Sequence, residues 1–311
     1  MPSQKSFIRA AEIWVPQGEV LVFGDALYGG LDAFAELSRG VTFAPGEGLP
    51  GQAWAARRPV LMTDLKDPAF RRVAAAAEAG LTSGIALPVF FGDTVRAVVV
   101  LFCGDDSDSV GAIEIWENDP ETDAQIGLHD GYYGGAELFE MTSSMKRFGK
   151  GFGLPGAVWA AGLPLVIRDL YRSERFLRQE EARAVGLTLG LGLPSPYDLG
   201  RTWVVAFLSA FGTPIAERFE VWVPRGEGLA YDSWLSEGHQ EADEPRRPAG
   251  VAPGEGLLGR VLAEHAPAAS LNAAADAPWL VAVGEGGRHP ALAIPTLAPD
   301  GAVRAVTLLR F

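Results

Sequence analysis

Gly46-Glu47-Gly48-Leu49-Pro50-Gly51-Gln52-Ala53-Trp54 returns as Gly151-Phe152-Gly153-Leu154-Pro155-Gly156-Ala157-Val158-Trp159, and a worn third copy stands at Gly254-Glu255-Gly256-Leu257-Leu258-Gly259. Measured between the middle glycines, the copies lie 105 and then 103 positions apart. That interval is the size of a domain, well beyond the roughly 20–50 residues of a solenoid turn. The 311 residues therefore divide into units at 1–107, 108–213 and 214–311, each long enough to bury its own core.

Outward from the first loop, the flanking residues spell the unit. Ala11 to Val15 alternates around Trp14, Pro16-Gln17-Gly18 supplies a turn, and Val20 to Phe23 completes a hairpin. After a polar, Gly-containing segment come Val41-Thr42-Phe43 and the glycine loop, where glycines allow left-handed backbone and Pro50 suits a first helical turn. Val60-Leu61-Met62 reads as a buried strand. Asp67, as N-cap, and Pro68 open a second helix carrying Phe70, Val73, Ala74 and Ala77 to a stop at Gly80. Gly84 to Phe90 and Val95 to Phe102, turned at Gly92-Asp93, close the unit. The order β-β-α-β-α-β-β predicts an α+β fold with an antiparallel sheet.

The second unit keeps this order, with a helix expected from Ser173 to Val185 and strands at Pro164 to Ile167, Leu189 to Leu193 and Thr202 to Phe207. Trp14 maps onto Trp116 and Trp222. The third unit retains Leu292 to Pro295 and Val303 to Leu309, but its segment 272–287 lacks a Phe-led helix and the unit reads as degenerate.

Composition narrows the class. Hydrophobic residues make up 48% and charged residues 21%, ordinary for a folded globular chain. A net charge of -13, with basic residues scattered, argues against nucleic acid and against an anionic membrane surface. No apolar run approaches a bilayer span and Met1 to Ala10 has no signal-like core, so a cytoplasmic protein is expected. One cysteine, Cys103, leaves no internal disulfide and no Cys-x-x-Cys site; it is placed at the exposed end of a closing strand. His129, His239, His265 and His289 show no metal spacing and are expected on loops or surfaces.

Gly-x-Gly-Leu-Pro-Gly-x-x-Trp, followed by Asp64-Leu65, Phe70-Arg71-Arg72, Gly80-Leu81, Gly84 and Pro88, resembles the GAF sensor domain. The second unit repeats the resemblance at Asp169-Leu170, Phe176-Leu177-Arg178, Gly186-Leu187, Gly190 and Pro194. The resemblance implies three tandem GAF-like domains of the bacterial signalling type, each a sheet of five or six antiparallel strands flanked by helices, with a pocket between the sheet and the Phe-led helix. It implies a small-molecule effector or a protein partner, with oligomerisation open, and leaves any cofactor unknown. The Asn-Lys…Phe…Asp-Glu set of cyclic-nucleotide binders is missing, and Cys103 is poorly placed for a bilin. The joins between units, Cys103 to Val110 and Leu208 to Ala216, are too short for a transmitting helix, and no output region follows Phe311, so a partner is expected to supply the output.

Candidate ligand-binding residues on this reading are Trp54, Asp64, Phe70 and Arg72, with Trp159, Asp169, Phe176 and Arg178. The architectural reading ranks first: each aspartate caps its loop or pairs with its arginine, and the aromatics are core. Catalysis ranks last. The one enzyme precedent of this fold, a free methionine sulfoxide reductase, needs several cysteines, and there is no Gly-x-Ser-x-Gly motif. Two readings stand: a non-catalytic signalling protein with an effector in one of the first two pockets, or a ligand-free interaction scaffold. An open cavity beside the Phe-led helices favours the first and a filled one the second.

Overall fold

A computed structural model describes residues 6–104, 110–134, 136–198, 200–210, 212–236, 247–277, 279 and 289–311. The first unit runs β1 (Ile8–Gln17), β2 (Val20–Leu27), α1 (Asp32–Arg39), α2 (Gly48–Ala56), β3 (Val60–Met62), α3 (Val73–Glu78), β4 (Ser83–Phe91) and β5 (Thr94–Cys103). The second runs β6 (Gly111–Asn118), β7 (Gln125–Tyr132), α4 (Glu137–Met145), β8 (Arg147–Gly149), α5 (Gly153–Ala161), β9 (Leu165–Ile167), α6 (Gln179–Val185), β10 (Leu187–Asp198) and β11 (Arg201–Ala210). The third runs β12 (Arg218–Arg225), β13 (Gly228–Ser236), α7 (Gly256–Glu264), β14 (Ala268–Ser270), α8 (Ala273–Asp276), β15 (Ala291–Leu297) and β16 (Val303–Arg310).

Three antiparallel sheets result, ordered β2-β1-β5-β4-β3, β8-β7-β6-β11-β10-β9 and β13-β12-β16-β15-β14. This is the α+β architecture expected, with one topology used three times. The glycine loop has the same build in each unit: Gly46, Gly151 and Gly254 donate their N–H to the carbonyls of Gly51, Gly156 and Gly259, each at 2.7 Å. A Cβ on Gly51, Gly156 or Gly259 would overlap the carbonyl oxygen of Ala44, Gly149 or Ala252. Glycine recurs there because backbone crosses backbone.

Several local expectations need correction. Helix α1 went unread because it has no side-chain N-cap and turns only Phe34, Ala35 and Ser38 inward. The Phe-led helices start later than Asp67 and Ser173: α3 begins at Val73 and α6 at Gln179. Asp67 Oδ1 instead accepts the N–H of Ala69, and Phe70 N–H closes a turn onto the Asp67 carbonyl. Phe70 and Arg72 are both buried. Two residues apart on a helix they would point about 200° from one another, so a non-helical turn is what lets both face inward. Cys103 is buried, not exposed, because its side of β5 joins an interior that the single unit does not reveal. The acidic linker Gly104-Asp105-Asp106-Ser107-Asp108 is expected to be exposed and mobile; Gly104 is instead buried, and the rest lies outside the described residues, as does most of 278–288 in the third unit.

That interior is the main organising feature. One face of each sheet packs on its own helices; the other faces a core shared by all three units, with Ile85, Leu87 and Val99, then Leu191, Leu193 and Val205, then Leu292, Ile294 and Leu309. The equivalent strands β4, β10 and β15 touch one another, while β3 meets β7, β9 meets β13 and β14 meets β2. Each contact is the previous one advanced by one unit, so the chain closes on itself as a ring with pseudo-threefold symmetry. Further links follow the same rotation: Arg96 Nη2 donates to the Glu264 carbonyl at the end of α7, Arg304 Nη2 to the Ala161 carbonyl at the end of α5, and Arg58 lies over the Trp203 ring.

Candidate functional site

Each sheet carries a Glu-x-Trp triplet on the first strand of its unit, β1, β6 or β12: Glu12-Ile13-Trp14, Glu114-Ile115-Trp116 and Glu220-Val221-Trp222. A bulge interrupts the pairing with the outer strand between the second and third residue in all three. The glutamates and tryptophans are fully buried, and each indole Nε1 donates to its own glutamate at 2.9–3.0 Å. A buried carboxylate needs a cation and donors to be tolerated.

In the first unit Arg72 provides the cation. Its Nη1 reaches Glu12 Oε1 and Ser38 Oγ, its Nη2 reaches Glu12 Oε2 at 3.0 Å, and Tyr28 adds a hydroxyl donor at 2.8 Å. The guanidinium carbon sits within 6 Å of five ring centres, Trp14, Phe34, Phe43, Phe70 and Phe102, at 4.6–5.9 Å. Such distances place it in the cation–π range of every wall. The second unit reproduces the cage: Arg178 pairs with Glu114 and Ser143, Tyr133 donates to Glu114, and Trp116, Phe139, Phe148 and Phe176 surround the guanidinium at 4.6–5.8 Å. Burial raises the Tyr28 and Tyr133 phenols well above the ordinary range, and the neighbouring glutamate pushes the same way.

The third unit keeps the carboxylate and changes the cation. Glu220 takes Arg218 at 2.8 Å and Arg247 at 3.2 Å, with Trp279 as a second indole donor. Arg218 is pulled below its usual pKa, chiefly by burial, with Arg247 and Arg310 acting in the same direction against the pull of Glu220. Arg218 and Arg247 stand at chain positions that differ from that of Arg72 in its repeat.

The candidate residues thus divide. Phe70, Arg72, Phe176 and Arg178 come together as cage wall and cage occupant. Asp64 and Asp169 stay outside: each carboxylate accepts a backbone N–H two residues on, from Lys66 and Tyr171. Of the two architectural roles expected, each aspartate takes the loop cap, and Arg72 and Arg178 pair instead with Glu12 and Glu114, the strand glutamates that reach the buried side of the sheet. Trp54 and Trp159 are half-buried and pack on the helix-side cores without joining the rings around either guanidinium, and Trp159 also lines a cavity shared by the three units. Sequence reasoning missed Glu12, Glu114 and Glu220; the threefold Glu-x-Trp was the signal. His129 lies within β7 and is exposed there, on a surface as expected though not on a loop, its Nδ1 2.9 Å from Glu117 Oε2.

The family model described as "GAF domain" matches residues 8–115, which span the first unit from β1 onward and reach into β6. GAF domains are generally small-molecule sensing and signalling modules. Similar solved structures include the nlh2 GAF domain of A. aeolicus in an inactive state, at 23% identity over 32% of this chain and 61% of that one, with a TM-score of 0.26. Another is the fRMsr of Staphylococcus aureus in its reduced form, at 21% identity over 31% and 56% with a TM-score of 0.25. A third is the NreA protein of Staphylococcus aureus mutated in its nitrate binding site, at 20% identity over 35% and 79% with a TM-score of 0.28. The chain spans about three fifths of the length of the first two of these. No curated protein matches the chain. Among the described residues no helix is long and apolar enough to cross a membrane.

Proposed function

We propose that the chain is a non-catalytic signalling component of the GAF family that works as an interaction scaffold, with its helix-side pockets occupied from within. The observation that carries this is the pair of caged guanidiniums: Arg72 and Arg178 fill the space beside Phe70 and Phe176 that an effector would need. An effector touching Trp54, Asp64, Phe70 and Arg72, or Trp159, Asp169, Phe176 and Arg178, would have to expel a buried ion pair. Chemistry is left out of the reading because Cys103 is buried and its thiol is pushed up in pKa by that burial, which holds it protonated.

The partner surface is proposed on the second unit. Leu138, Met141, Met145, Phe152 and Leu177 are all at least half exposed. Aligning the cages puts Ala33, Glu36, Gly40, Glu47 and Arg71 at the same places in the first unit, where Glu47 and Arg71 form an ion pair of 2.7 Å. Five large apolar side chains on the second repeat thus correspond to three charged and two small residues on the first, a pattern that suits protein contact on the second repeat alone.

A photo-crosslinking side chain placed at Met141, with Glu36 as the matched control, tests this in extracts of the source cell. The scaffold reading expects discrete protein adducts from position 141 and none from 36. Equal labelling from both, or saturable amide shifts confined to the Arg72 or Arg178 cage on titration with cyclic nucleotides, amino acids or tetrapyrroles, would return the function to effector sensing.

A further inference from the structure

We infer that the junction of the three sheets is itself a binding site, for a small carboxylate with a compact apolar body. No residue of the Arg72 or Arg178 cage lines the site, although Val158 and Trp159 of α5 do, so it stands independently of the scaffold reading.

Where β4, β10 and β15 meet, a cavity of about 250 Å³ opens, walled by all three units. Pro88, Pro194 and Pro295 line it from equivalent registers, opposite Val98, Val204 and Val306. Leu87, Leu193 and Ile294 stand beside them. The size falls just under the about 300–1,000 Å³ typical of drug-sized ligands, which selects a metabolite with a single ring or a branched chain.

Four hydroxyl residues, Ser195, Thr202, Thr296 and Thr307, break the apolar lining, and two of them decide the argument. Thr307 is buried and Ser195 is half-buried, and Thr307 Oγ1 and Ser195 Oγ are buried atoms without a hydrogen-bond partner among the described residues; both residues line the cavity. Comparison of the repeats makes this pointed. Thr307 stands where the other units have Val99 and Val205, and Ser195 stands where the first unit has Val89. Valine is the self-sufficient choice at an interior position. A hydroxyl in its place is left unsatisfied until something in the cavity bonds it.

The charge preference comes from Arg304. It lines the cavity from β16, is exposed, and bonds the Ala161 carbonyl at 3.4 Å; among the described residues it makes no ion pair. Arg201, the other lining arginine, is already committed to Glu117 and Asp119. A carboxylate at Arg304 with its apolar body among the prolines, and a polar atom toward Ser195 and Thr307, uses every unspent group. A ligand so placed touches all three repeats and would tighten the ring.

The test is a titration of the full chain with phenylacetate, 4-hydroxyphenylacetate and the uncharged phenylacetamide, read by methyl NMR. The expected result is saturable shifts at Leu193, Val205 and Ile294, with the hydroxylated acid binding best and the amide about tenfold or more weaker. Arg304→Gln should weaken both acids to the level of the amide. Thr307→Val, which installs the residue of the other two repeats, should fold with equal or higher Tm and still weaken 4-hydroxyphenylacetate several-fold. Absence of saturable shifts with all three probes, or unchanged affinity in a folded Thr307→Val, overturns the site.

Discussion

At the scale of single residues, the structure turns on charges and thiols placed where water cannot reach them. Arg72→Met removes the arginine that, among the described residues, alone bonds a fully buried Glu12, and breaking such a pair costs about 3–5 kcal/mol. Urea unfolding of Arg72→Met, Glu12→Leu and the double variant measures the coupling; additive losses would remove the pair from the account. The phenols of Tyr28 and Tyr133 have folded pKa values raised by burial and by the glutamates they bond. Such a group binds more protons folded than unfolded, so its contribution is whole below about pH 10, the unfolded value, and is lost as pH climbs toward the folded one. Phenolate absorbance should therefore show both ionising only together with unfolding, and Tyr28→Phe with Tyr133→Phe should flatten the alkaline decline in stability. Cys103 should resist iodoacetamide in the native protein and react fully in denaturant, since burial suppresses its thiolate; rapid native labelling would mean the shared core opens.

Among the elements, the glycine loop and its following helix were legible from the sequence, because backbone crossing backbone admits no other residue. Gly156→Ala tests this: the added Cβ collides with the Gly149 carbonyl and the expected loss is about 2 kcal/mol or more, read as a lower Tm, while Ala at Gly186, where nothing lies within 4 Å, costs only the strain of its positive φ. The hairpins and closing strands were legible from alternation and turn residues. The start of α3 and α6 was not, since Asp67-Pro68 satisfies the rules for a helix opening and for a tight turn equally, and the choice is made by Arg72 having to reach Glu12 across the unit. The cage glutamates were hidden for a related reason. Glu12 in an apolar run looks like an exposed face residue until the partner 60 positions away is known.

For the whole molecule, the sequence held the number of units but not their closure. Ile85-Ala86-Leu87 and Leu191-Gly192-Leu193 have no polar alternation, which says both faces are covered; what covers the second face depends on two other sheets. The small residues Gly84, Gly190 and Gly192 meet Leu49, Leu154 and Val158 of the overlying helices, leaving the large ones for the centre. A shared core also accounts for joins without transmitting helices: the repeats are held by their sheets. Native-state hydrogen exchange on Ile294→Asp probes this most directly. The ring predicts that amides of β1, β6 and β12 lose protection together, although the charge enters only the third sheet; loss confined to β12 and its neighbours, with β1 and β6 unchanged, would contradict it.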